Sequence, residues 1–129
     1  MQTSYTRLYT NGEGFSRFEE IDSELSPGFS VPPVDPLHTA PFLAGDGTTF
    51  WIGAVEDWRG GAPHPAPRRM IFVTVRGEYE VVTADNVARR FPTGSVLIVE
   101  DTTGSGHASR ITSTGGMVVL AVGLPPTSG

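Results

Sequence analysis

The sequence predicts an all-β chain, an antiparallel sandwich or barrel. Three observations carry this. Gly (16) and Pro (11) together make up about a fifth of the 129 residues, and that density of turn formers suits many short strands rather than long helices. Turn signals recur every 8–12 residues or so through the second half, the spacing expected of sandwiches and barrels. No segment of useful length carries an apolar stripe at the helical period.

The strands follow in order. Residues 1–25 alternate aromatic or aliphatic with polar residues (Tyr5, Leu8, Tyr9, Phe15, Phe18, Ile21) and read as two short strands around the turn Asn11-Gly12. Residues 26–47 hold Pro27, Pro32, Pro33, Pro36 and Pro41. Proline excludes a long helix and disfavours a central strand, so this zone is expected as an extended arm over the body, with a lid among its roles. The body runs from 48 to 124 and a short tail from 125 to 129. Within the body, TTFWIGAV (48–55), RRMIFVTVRG (68–77), GEYEVVTADN (77–86), VARRF (87–91), SVLIVED (95–101), HASRIT (107–112) and GMVVLAVGL (116–124) read as strands. The Pro-rich stretch 57–67, Asp85-Asn86, PTG (92–94) and TTGSG (102–106) read as the connections. The whole, 1–129, is expected to be one domain.

Composition removes several function classes. The net charge is −5 and all nine basic residues are Arg, a poor basis for nucleic-acid binding. Without Lys there is no Schiff-base chemistry, and without Cys there are no disulfides, thiolate metal sites or cysteine nucleophiles. No apolar run is long enough to span a membrane. The N-terminal residues lack a basic and then apolar leader, so a cytoplasmic location is expected. Glycine-rich nucleotide loops, the serine-hydrolase elbow and the H-E-x-x-H helix are all absent.

The stretch 64–101 carries recognisable spacings. Counting back from Gly77, the pattern G-x5-H-x-H-x3–4-E-x6-G places its first His on His64, its second on Ala66 and its Glu on Met70. The pattern G-x5-P-x-G-x2-H-x3-N meets Pro92 and Gly94, with Asn86 at the opening Gly, Leu97 at the His and Asp101 at the Asn. In these motifs the chain resembles the cupins, and its HPAPRR…EDTTGxGH framework resembles a subgroup of small bacterial cupins across residues 58–122. The resemblance implies a double-stranded β-helix, the jelly-roll barrel. It does not assign an activity, because cupins host metal oxygenases, isomerases, epimerases, cyclases, lyases and binding proteins. Three of the four ligand positions it implies hold Ala66, Met70 and Leu97, which offer no nitrogen or oxygen donors to Fe, Mn, Zn or Ni. No cofactor is therefore expected; were a metal present, His64 and His107 would hold it.

His64, His107 and Asp101 are the candidate catalytic residues. Two imidazoles suit an acid and a base near neutral pH. Alternation from Leu97 turns Val99 and Asp101 inward and Glu100 outward, so Asp101 is the carboxylate able to orient a His. Alternation from Met70 turns Met70, Phe72 and Thr74 inward. The candidate substrate-binding residues are Trp51, Arg68, Met70, Phe72, Tyr79, Leu97 and Glu100, with Trp58 and Phe50 extending an aromatic wall. Arg68 offers a fork for a substrate carboxylate. Glu100 reaches the site only across a bulge. His38, on the arm, reads as solvent-exposed.

The expected function is metal-independent acid–base chemistry (isomerisation, epimerisation, cyclisation or dehydration) on a small, partly hydrophobic metabolite, as in secondary metabolism. A metal-dependent cupin with a shifted His/carboxylate site and a non-catalytic small-molecule binder are the alternatives. Ile71, Val73, Val75 and Val119 are expected on the outside of the sheet. They must be covered by the second sheet, the N-terminal arm or another chain, and a homodimer through an outer sheet face or through exchanged N-terminal strands is expected.

Overall fold

The computed structural model describes residues 1–29, 32–33 and 35–127. Ser30, Val31 and Val34 of the expected arm, and Ser128 and Gly129 of the expected tail, lie outside the described residues. Eleven strands are formed among the described residues and no helix. They are β1 (Gln2–Thr10), β2 (Ser16–Glu24), β3 (Ser26–Phe29), β4 (Leu37–Thr39), β5 (Thr49–Ala54), β6 (Met70–Arg76), β7 (Glu78–Val82), β8 (Ala88–Pro92), β9 (Val96–Val99), β10 (Ala108–Ile111) and β11 (Met117–Gly123).

Six strands form one sheet in the order β2-β1-β9-β6-β11-β5, and three form a second in the order β10-β7-β8. The pairings are antiparallel except β1 with β9, which is parallel. The two sheets pack as a β-sandwich around Leu8, Tyr79, Val81, Phe91, Leu97, Val99 and Val119. Closure into a barrel, expected from the sequence, does not appear. No ladder joins the two main sheets, and outside the strands only the single bridges Arg59↔Arg110 and His64↔His107 are found among the described residues. These bridges carry the 57–67 loop along the free side of β10.

The N-terminal strands are longer than expected, nine residues each, paired from Gln2↔Glu24 to Thr10↔Ser16. The Asn11 side chain organises their turn by accepting from the backbone N–H of Glu13 and Phe15. The Pro-rich arm is not wholly irregular: β3 and β4 pair as a small sheet. The arm then crosses the outer face of the six-stranded sheet. Phe42 meets Tyr5 edge-on at 4.9 Å, Asp46 pairs with Arg68, and the Asp46 N–H donates to the Gly123 carbonyl at 2.9 Å. This is the face away from the inter-sheet core, so the arm is not a lid on that core.

Strict alternation explains the two faces of β6 and β9. Ile71, Val73, Val96 and Ile98 form an outer cluster with Tyr5, Val122 and Leu124, whereas Phe72, Leu97 and Val99 belong to the inner one. Val119, expected outside, is fully buried in the inner core. β11 alternates regularly, with Met117 and Val119 toward the inner cluster and Val122 in the outer one; the ladder irregularity falls on β6, where Val75 is passed over between the pairs Thr74↔Val119 and Arg76↔Val118. Of the four residues expected to need a cover, Val75 alone is exposed.

Candidate functional site

A cavity of about 300 Å³ lies between the sheets. Ile52, Trp58, Met70, Phe72, Val99, Ile111 and Met117 supply most of its apolar wall, and His64, His107 and Ser109 its polar side. That volume sits at the low end for small-molecule sites, and the composition (apolar with a few convergent polar groups) is typical of them.

Backbone geometry brings the two imidazoles together. His64, in the loop before β6, and His107, just before β10, exchange both N–H···O bonds at 3.0 Å. Their rings lie 5.6 Å apart between centroids. Gly106 makes this approach possible: its φ is +76°, and a Cβ there would fall 1.9 Å from the His64 carbonyl carbon. His64 is exposed, with Nδ1 3.0 Å from the Pro65 carbonyl. His107 is nearly buried.

Asp101 follows β9 on its inward side and has no exposed surface. Its Oδ2 lies 2.5 Å from His107 Nδ1 and accepts the Ser16 hydroxyl at 2.6 Å. Its carbonyl accepts the Ala66 N–H at 2.9 Å, tying the carboxylate to the loop that carries His64. With Nδ1 engaged by Asp101, Nε2 is the His107 nitrogen left for a molecule in the cavity. The arrangement is chemically a carboxylate-oriented imidazole beside an apolar pocket, able to accept and return a proton. Asp101 Oδ1 has no hydrogen-bond partner among the described residues.

Among the expected substrate-binding residues, Met70, Phe72 and Tyr79 line the cavity. Leu97 is buried in the surrounding core. Tyr79 stacks on Phe91 at 5.2 Å. Burial pushes its phenol well above the usual range and the nearby Thr74 side chain offsets this only in part, so the group stays neutral. Trp51, Arg68 and Glu100 lie off the cavity. Trp51 alternates with Ile52 and points to the outer face, 67% exposed. Arg68 is held by Asp46. Glu100 turns outward, as alternation requires without a bulge, and takes Arg7 at 2.7 Å and Arg69 at 2.7 Å. Burial raises the Glu100 carboxyl, but the hydrogen bonds from Arg7 and Arg69 outweigh it and hold the group below the usual carboxylate range. Phe50 is about one-third exposed on the edge strand β5, and His38 is exposed on β4.

Sequence reasoning missed Ser16, Ser109 and Met117. For Ser16 the usable signal is its place two residues before Phe18, which packs on the core: a small polar residue at a core-facing strand position needs a buried partner.

Three of the four ligand positions of the resembled metal site, Ala66, Met70 and Leu97, supply no oxygen or nitrogen donor, so the residues present do not fit that site. Among the described residues no group of three or more His, Cys, Asp or Glu side chains is placed to hold an ion. No protein-family model and no curated protein matches the chain.

Proposed function

We propose that the protein is a small cupin-like enzyme that moves a proton on a small, partly apolar organic molecule without a metal. The observation that carries this reading is the 2.5 Å contact between His107 Nδ1 and a fully buried Asp101, on a ring that lines the inter-sheet cavity. In this reading His107 Nε2 is the acid or base, Asp101 fixes the ring and its tautomer, and Ser16 fixes Asp101. His64, more exposed and carried by the 57–67 loop, supplies the second proton-transfer group. The apolar wall binds the molecule and keeps water from competing for the proton. Isomerisation, epimerisation, cyclisation and dehydration all begin with such a transfer.

The reading is tested by deuterium uptake from heavy water at carbon acids, followed by NMR with acetophenone, cyclohexanone and 2-cyclohexenone as probes. The expected result is protein-dependent exchange that His107→Ala lowers about 10²–10⁴-fold, that His64→Ala lowers less, and that EDTA leaves unchanged. Exchange lost on chelation, together with stoichiometric metal in untagged protein, would replace this reading by a metal site on His64 and His107. Probe binding without exchange would replace it by a ligand-binding role.

A further inference from the structure

We propose that β5 is the edge at which a second copy of this chain adds itself, antiparallel about a two-fold axis, so that the two six-stranded sheets run on as one. This is neither an outer-face dimer nor an exchange of N-terminal strands.

The first argument compares edges. The two main sheets end in β2, β5, β8 and β10. An exposed edge strand is a template for another chain unless charge, proline or a cover blunts it. β2 carries Arg17, Glu19, Glu20, Asp22 and Glu24. β8 carries Arg89, Arg90 and Pro92. β10 carries Arg110 and is bridged along its free side by Arg59, with His64 bridging the adjacent His107. β5 reads TFWIGA, with no charge and no proline. It pairs with β11 alone, and no other backbone hydrogen bond among the described residues reaches 49–54.

The second argument selects the occupant. Antiparallel pairing centred on Ile52 sets the Trp51 indole of each copy over Gly53 of the other on the outer face. The same register sets Phe50 against Ala54 on the inner face. Large meets small at each of these pairs, so the strand is complementary in size to its own reversal, as an isologous interface requires. The Gly53 position has room, since an added Cβ would meet nothing nearer than 3.7 Å. Trp51 stands 67% exposed on a single copy and lies beside Leu120 and then Val73 across the sheet, so its burial would extend an existing apolar row. Charge acts in the same direction. At a net charge of −5 two copies repel, and β2 would add like charges at the contact, whereas β5 adds none.

The test is sedimentation of the full chain, with amide hydrogen exchange read over residues 49–54. The expected wild-type mass at micromolar concentration is twice 13.8 kDa, with slowed exchange in 49–54 that is lost on dilution. Trp51→Glu and Gly53→Glu, at an exposed position and at one with free space, keep the far-ultraviolet dichroism and weaken association about 30-fold or more. A wild-type monomer throughout the micromolar range overturns the proposal. So does a dimer that both variants leave intact, or one in which the 49–54 amides exchange as fast as in the dilute protein.

Discussion

Replacing Asp101 by Asn isolates what the buried carboxylate contributes. The side chain keeps its shape but loses its charge, and one oxygen becomes an NH2 group. In the native protein Oδ2 takes both Ser16 Oγ and His107 Nδ1, at 2.6 and 2.5 Å. Hydrogen bonds to a charged group contribute about 1.5–3 kcal/mol each and neutral ones about 0.5–1.5 kcal/mol, so the two weakened bonds lose about 2–3 kcal/mol together. The new amide donors are also buried, where an unmet donor costs a further ~1–3 kcal/mol. The expected loss is about 3–6 kcal/mol, close to the ~3–5 kcal/mol seen when one member of a buried pair is removed. For a chain of this length it lowers Tm by roughly 10–30 °C. Urea unfolding with calorimetry measures it. A second arm adds His107→Ala to both backgrounds: residues sharing one network are non-additive by about 0.5–3 kcal/mol. A loss below about 1 kcal/mol for Asp101→Asn, or strict additivity with His107→Ala, would refute the claim that the carboxylate holds the ring.

Two further outcomes follow from particular contacts. Glu100 has a folded pKa held below its unfolded value by Arg7 and Arg69, so its contribution is full above the ordinary glutamate value of about 4.3 and fades as pH falls through the folded value. Glu100→Gln is therefore expected to cost about 1–3 kcal/mol at pH 7 and the two proteins to converge in strong acid; an equal gap at both pH values in urea titrations counts against the ion pair. Gly106→Ala is expected to cost at least about 2 kcal/mol from the left-handed backbone alone and to separate His64 from His107, read as a lost nuclear Overhauser contact between the two rings; an unchanged Tm and ring contact would show that the turn does not depend on glycine.

Much of the strand order was legible because local rules govern it. Turn residues bound each body strand to within a few residues, and the two-residue period put Met70, Phe72, Leu97, Val99 and Asp101 on the inner side and Glu100 on the outer. The period fixes alternation but not its phase: in the wholly apolar β11 nothing local says which set of residues faces the core, and Val119, expected outside, lies inside. Other features depend on contacts far apart in sequence. Ser16 finds Asp101 across 85 positions, and nothing near Ser16 specifies that partner. Trp51 looks like a wall residue until β5 is known to be an edge, where its face meets solvent. Whether two sheets close into a barrel depends on shear and stagger summed over every strand, which no single segment carries.

The polar cluster is where the proposed function and the demands of packing differ. Ser16, Asp101 and His107 are buried, and His107 shares the cavity wall with Met70, Phe72 and Val99. A sandwich core packs well from apolar side chains alone. Replacing a buried ionic group by apolar residues of similar volume is often neutral or stabilising. Two glycine-dependent features then converge on the cluster. Gly106 admits the His64 backbone, and the TTGSG turn returns the chain so that His107 meets Asp101 six residues after it. A fold that needed only to bury this end of the sandwich has simpler solutions. On the proposed reading, a carboxylate–imidazole pair on the wall of a cavity has a use that burial alone does not give it: moving a proton to or from a bound molecule.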